Sequence, residues 1–303
     1  MIRRLACLLL ALLLYCGAAA EEVPGGGSSG ADSVFPPEEY EISGKLRTRY
    51  VSDTLRFTIE SMTPGNVYCI LTRVWVQDPE RQIRKASAPW GKSLADPMRL
   101  MKSIPGAALG VNASGYITKT YPDLPEGYPG VPEDYYFQTL GSLVVTDGEV
   151  LRNLEGVPFW GLALTADGIT LYRGADNEEV LAGNPGQTWA FFEEAVMQVN
   201  GESVLPEEGT SPLAQEKHTR TILARINRNN YVLMNVIEYR NSHGASLYWL
   251  NDYFSEHFQA EWVYNLDGGY SSSLIYRTQE KKPRLIRHVV NRQGIMDILC
   301  FTE

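Results

Sequence analysis

The chain has 303 residues, 44% of them hydrophobic and 21% charged, a balance that excludes a fibre or a wholly disordered protein. Its formal charge of −9 argues against nucleic acid as a partner, because an acidic surface gains nothing from releasing counterions on a phosphate backbone. None of the four cysteines and four histidines has zinc-site spacing, and the sequence calls for no metal and no cofactor.

At the N-terminus, Arg3-Arg4 precede an apolar block from Leu5 to Leu14, then small residues up to Ala20 and the acidic Glu21-Glu22. These are the parts of a secretory signal peptide over residues 1–20, with Ala18-x-Ala20 as its cleavage site, and they predict a secreted or extracytoplasmic protein. The alternative is an uncleaved leader serving as a membrane tether, although the apolar block is short for a span. Tyr15 disfavours lipidation at Cys16, since such signals prefer a small residue there. Cleavage would remove two arginines and no acids, taking the charge from −9 to −11. Cys69 and Cys300 then remain, either as one disulfide or as two thiols buried among apolar neighbours. Residues 21–37, with Gly25-Gly26-Gly27-Ser28-Ser29-Gly30 and Pro36-Pro37, read as a flexible linker, leaving 38–303 as a single domain that folds from near Tyr40.

Strand signals dominate from there. Leu55 to Ile59 alternates, and Val67 to Val76 is rich in β-branched and aromatic residues. Asp96-Pro97 reads as N-cap and first residue of a helix carrying Leu100, Met101 and Ile104 on one face until Pro105-Gly106. A buried strand follows from Ala107 to Val111 and ends at Asn112. The stretch 119–136, rich in Pro, Gly and Tyr, reads as a long loop and a candidate lid. Asp147-Gly148, Asp167-Gly168 and Asn200-Gly201 each stand beside alternating residues, the strongest short-range hairpin signal. A weaker hairpin runs from Ile222 to Val236 and bends at Arg228-Asn229-Asn230. The acidic run Asp176-Asn177-Glu178-Glu179 reads as a solvated loop. Ser246 caps a last helix, with Leu247, Leu250, Phe254 and Phe258 on one face, and a strand from Trp262 follows. Hairpins in series predict an α+β fold: a largely antiparallel or mixed β-sheet with a few packed helices.

Chemistry concentrates at Asn265-Leu266-Asp267-Gly268-Gly269-Tyr270-Ser271-Ser272-Ser273. A strand ending in a carboxylate, two glycines and hydroxyls suits a phosphate- or sugar-bearing ligand; a tight turn between strands is the plainer alternative. Asn112, also at a strand end, offers the donor and acceptor that sugar hydroxyls require, or forms a turn. Asn112-Ala113-Ser114 is formally a glycosylation sequon. Arg220 at a strand start could hold a phosphate bidentately or make a surface ion pair. Glu238 and Arg240 share one strand face, as a cross-strand ion pair would.

Taken in order, Gly110 to Tyr116, Arg220-Thr221-Ile222, Gly244-Ala245-Ser246-Leu247 and Asn265 to Ser272 resemble the phosphodiester glycosidase family, over most of the chain from Tyr68 to Phe301. Two positions depart from the family pattern. Ile237-Glu238-Tyr239-Arg240 carries its carboxylate on a longer arm, and Tyr270 stands where the family is usually small. The resemblance implies hydrolysis of a sugar-1-phosphodiester at the anomeric C–O bond on an extracytoplasmic glycan. It implies Asp267 as the first catalytic carboxylate and Glu238 as the second, with Arg220 clamping the phosphate. Asn112 would orient the sugar, Gly268, Gly269, Ser271 and Ser272 would cradle phosphate oxygens, and Asn265 would complete the substrate-binding set. Two further readings are a secreted envelope protein that binds phosphorylated glycan without turnover, and a metal-dependent phosphodiesterase that cuts P–O, with Asp267 and Glu238 as its metal-holding carboxylates if they converge.

Overall fold

The hairpins assemble into antiparallel sheets in the computed structural model, which describes residues 44–119, 130–238, 242–287 and 294–303. The predicted signal peptide and linker, Arg240 and residues 120–129 of the long loop lie outside them. The largest sheet has eight strands, in the order Lys45–Val51, Leu55–Met62, Cys69–Val76, Asn230–Val236, Arg220–Arg225, Trp262–Leu266, Val196–Val199 and Glu202–Ser203. Two five-stranded sheets accompany it. One is ordered Pro283–Arg287, Ser273–Arg277, Ala107–Asn112, Asp297–Thr302, Ile83–Ser87, and the other Gly168–Ala175, Phe159–Thr165, Gln187–Ala190, Leu143–Thr146, Glu149–Asn153.

The predicted turns form where their residues tolerate left-handed backbone. Asp147 has φ 51° and Asn200 φ 53°, each followed by the glycine of its pair. Period-two alternation then sorts the large sheet into two faces. Ile222, Met234 and Val263 pack beneath Leu247, Leu250 and Phe254 of the helix Leu247–His257. Leu223, Leu233, Tyr264 and Leu266 share the opposite core with Leu109, Val111, Leu274 and Phe301 of one five-stranded sheet and Leu162 and Trp189 of the other. Burying each such leucine or phenylalanine contributes about 1.5–3 kcal/mol. The sheet is therefore anchored on both sides, and its strand ends are held where the functional residues lie.

Both predicted helices are present. Asp96 caps Pro97–Ser103 by accepting from the Met98 and Arg99 amides, and Ser246 Oγ accepts from Trp249 N at 3.2 Å. The acidic run at 176–179 is not a solvated loop. Asp176 caps a short helix, Asn177–Ala182, and Asn177 is buried, donating to Asn153 Oδ1 at 2.8 Å and Leu154 O at 3.0 Å. Its charges complement the positive end of that helix, a local role that composition alone conceals. Cys69 and Cys300 are free, buried thiols in different sheets; burial pushes Cys69 up to about 12 and Cys300 in the same direction. Among the described residues no helix is long and apolar enough to cross a membrane.

Candidate active site

The segment 267–272 crosses from the large sheet to a smaller one, joining the end of Trp262–Leu266 to the start of Ser273–Arg277. Antiparallel register brings other strand ends to the same place. Thr221 lies opposite Leu266 and Arg220 opposite Val236, while Leu274 lies opposite Val111 and Ile298 opposite Asn112. Strand order sets Arg220 between the ends that carry Glu238 and Asp267. Those two ends are separated by roughly 10 Å, two strand spacings.

Asn112 holds this junction together. It is 1% exposed, its amide nitrogen donates to Asp267 O, and its Oδ1 accepts from Thr221 Oγ1 at 3.0 Å and Ser273 N at 2.9 Å. Thr221 Oγ1 also meets Ser272 Oγ at 2.7 Å and accepts from Asn235 Nδ2 at 3.2 Å. Every polar atom of the Asn112 side chain is thus engaged inside the protein. It acts on a ligand only through the backbone it fixes, and its burial removes it as a glycan acceptor.

The paired glycines have separate reasons. A Cβ at position 268 would lie 2.6 Å from Thr219 O, so the turn can approach the Arg220 strand only with glycine there. Gly269 has φ +56°, the left-handed region, and its amide donates to Thr219 O at 2.8 Å. The predicted phosphate cradle of successive amides is closed in this structure. Gly268 N donates to Asp267 Oδ1 at 2.9 Å, Ser271 N to Gly268 O at 3.0 Å and Ser272 N to Gly269 O at 3.3 Å. These groups shape the turn and hold its carboxylate, which is what a tight Gly turn does in forming its own internal bonds.

Asp267 is the chemically distinctive residue. Its carboxyl is pushed up to about 7, first by desolvation and further by the charge of Asp297, against the opposing effects of the Ser271 hydroxyl and the Gly268 amide. The residue keeps some solvent contact while its carboxyl sits deep among protein atoms. A carboxyl near neutrality at the mouth of a strand end suits proton transfer or stabilisation of developing positive charge.

Arg220 is 3% exposed. Its Nη2 donates to Leu213 O at 2.7 Å and Glu216 O at 3.0 Å, and its Nε to Ala245 O at 3.4 Å. Burial pushes the guanidinium down to about 10, partly countered by Glu216. The sequence allowed a surface ion pair here; instead the charge is buried and held by carbonyls. Its backbone lies against Gly268, but its side chain turns toward 213–216 and 245, whereas Asp297 is the charged neighbour of Asp267. Glu238 is exposed two residues beyond its strand. Ser271 and Ser272 are buried, and Asn265, 1% exposed, has no hydrogen-bond partner for either side-chain polar atom. Tyr270, three residues after Asp267, is 55% exposed.

Sequence reasoning passed over Asp297, Lys85, Ser114 and Thr221. Lys85 Nζ lies 3.3 Å from Asp297 Oδ2, and Asp297 Oδ1 accepts from Ser114 N at 2.7 Å. The available signal was at Asp297, a lone charge in the apolar run Ile295-Met296-Asp297-Ile298-Leu299, since buried charges need partners; Lys85, next to Arg84, carries no such signal.

The fold and the Asp267 turn define a class of protein, and comparison of sequences specifies it. The chain belongs to the phosphodiester glycosidase family, whose model matches residues 105–301. No curated protein sequence matches the chain. Among solved structures it is similar to the zebrafish N-acetylglucosamine-1-phosphodiester alpha-N-acetylglucosaminidase catalytic domain auto-inhibited by its pro-peptide, with 16% identity and TM-score 0.59 over 86% of this chain and 88% of that one. A hypothetical protein from Synechocystis shares 13% identity and TM-score 0.56, over 83% of this chain and 63% of that chain. At these identities the two structures speak for the fold.

Proposed function

We propose that this chain hydrolyses sugar-1-phosphodiesters on an extracytoplasmic glycan or glycopolymer, releasing the sugar, with N-acetylglucosamine as the first candidate. The observation that carries this reading is Asp267: a carboxyl near 7, fixed by Gly268 and Ser271 in the segment that matches the family's hallmark. Water adds through its oxygen to the anomeric carbon, and the C–O bond to phosphate breaks with its electron pair moving to the phosphate oxygen. The water's second proton ends on the phosphomonoester or in solvent. The ionised Asp267 stabilises positive charge building at the anomeric carbon and accepts that proton in passing. Phosphate leaves more readily than a sugar alkoxide, so a separate strong acid is not needed. Glu238 is the second carboxylate within the same group of strand ends. Arg220 has a buried charge held by the Leu213, Glu216 and Ala245 carbonyls, so it supports this site through the strand end it fixes beside Gly268 and not by a direct contact with the phosphate. Export follows from the residues that read as a signal peptide, Arg3 to Ala20.

The test is incubation of the purified chain with a GlcNAc-1-phosphodiester in oxygen-18 water, with Asp267→Asn as control. Free sugar carrying the label, lost in the variant, is the expected result. Label in the phosphate would mean P–O cleavage. Binding without release of any of several sugars would leave the non-catalytic glycan binder.

A further inference from the structure

Asp267 and Asp297 hang from the two sides of one short segment. Asp267 N donates to Ala113 O at 2.9 Å, while Ala113 N donates to Asp297 O at 3.2 Å and Ser114 N to Asp297 Oδ1 at 2.7 Å. Asn112 completes the link through its bond to Asp267 O. Neither backbone can shift without moving residues 112–114, and the Asp267 carboxyl is held in turn by the Gly268 amide at 2.9 Å.

The Asp297 side chain is 1% exposed and that of Lys85 3%, and Lys85 Nζ also donates to Thr188 O at 2.7 Å. Such a buried pair is an expensive way to stabilise a fold, because well-packed apolar side chains of the same volume often do as well or better. It lies beside the reactive turn, within reach of the Asp267 carboxyl electrostatically. Besides burial, the groups that act on that carboxyl are the Ser271 hydroxyl, the Gly268 amide and Asp297, and Lys85 is the ion-pair partner of Asp297. Arg220, on the neighbouring strand, is engaged with the Leu213, Glu216 and Ala245 carbonyls.

We propose that Asp297, tied to Asp267 through residues 112–114 and with its charge tempered by Lys85, is a positioning residue of the active site that adds to burial in determining the pH at which Asp267 ionises and the reaction turns on. It touches no substrate; it acts on Asp267 through the shared 112–114 segment and through space. A like charge nearby favours the protonated form of its neighbour, and a cation that screens that charge does the opposite. The two partners therefore have opposite signs of effect, which a purely structural pair would not show. The kinetic consequence rests on the reading of Asp267 as the reacting carboxylate, but the ionisation of Asp267 does not.

The experiment is a carbon-13 NMR titration of carboxyl-labelled aspartates in the full chain, with Asp267 assigned by its loss in Asp267→Asn. In Asp297→Asn the Asp267 midpoint is expected to fall by roughly one pH unit, and in Lys85→Gln to rise. The acid limb of kcat/KM on a GlcNAc-1-phosphodiester should move the same way in each. An unmoved midpoint in folded Asp297→Asn, or movement in the same direction in both variants, overturns the proposal. If Asp297→Asn fails to fold, Lys85→Gln decides alone: a rise supports the proposal, and no change or a fall overturns it. Opposite midpoint shifts with no hydrolysis by the wild type would leave this proposal standing and remove the enzymatic reading. Hydrolysis with unmoved midpoints would do the reverse.

Discussion

Replacing Asp267 by Asn is expected to abolish hydrolysis and, above neutrality, to make the protein more stable. The carboxyl has an ordinary value of 3.8 and is held near 7 in the fold. Between those limits the unfolded chain has released its proton while the folded chain retains it. Stability therefore falls as pH rises through this window, by about 1.4 kcal/mol per pH unit, and the loss is complete above about 7. The full interval corresponds to roughly 4 kcal/mol, and the solvent contact Asp267 retains reduces this to ~2 kcal/mol. Asn preserves the size of the side chain and an acceptor for the Gly268 amide, but has nothing to ionise. Urea unfolding at pH 5 and pH 8 measures the effect. The variant should be more stable than wild type by ~2 kcal/mol at pH 8 and by less than about 1 kcal/mol at pH 5. A difference that is the same at both pH values, or a variant less stable at pH 8, would refute the account of Asp267 as a carboxyl destabilised by its surroundings.

Two further substitutions probe the turn and its anchor. Gly268→Ala places a Cβ 2.6 Å from a backbone oxygen that cannot swing aside, so about 1–3 kcal/mol of stability and at least roughly tenfold in kcat/KM should be lost. Gly269→Ala meets open space and only a left-handed backbone, and should cost about 1 kcal/mol with the smaller loss of activity; urea midpoints and kcat/KM together rank the two. Asn112→Ala strips the partners from Ser273 N, Thr221 Oγ1 and Asp267 O at once, and should destabilise the fold by about 2–4 kcal/mol. Its effect on turnover should appear in kcat more than in KM, as expected of a residue that fixes the carboxylate and does not touch the sugar.

The hairpins at 147–148, 167–168 and 200–201, the helix capped by Asp96 and the helix capped by Ser246 were all legible. Each is dictated by residues within a few positions of one another. The run at 176–179 was misread because its helix is short and its buried residue, Asn177, looks like any polar loop residue until Asn153 and Leu154 come to meet it. The Asp267 motif was legible as a place where chemistry belongs. The orientation of its groups was not. Successive amides at 268–272 suggested an open cradle, yet three of them donate within the turn and Gly269 to Thr219 O. Asn112 suggested a ligand contact, yet its side chain is taken up by three partners, Asp267 O, Thr221 Oγ1 and Ser273 N, that meet only once the strands pair.

The sequence by itself determined the family, the antiparallel α+β architecture and the position of a reactive carboxylate after the Trp262–Leu266 strand, because alternation, turn dipeptides and a contiguous motif are local properties. Only the tertiary structure decided what surrounds that carboxylate. Proton affinity depends on burial and on charges within a few ångströms, and the charge that matters, Asp297, lies on a strand of another sheet and is matched by Lys85 from far earlier in the chain. Their proximity arises from the register of three strands, Ile83–Ser87, Ala107–Asn112 and Asp297–Thr302, which no local pattern encodes.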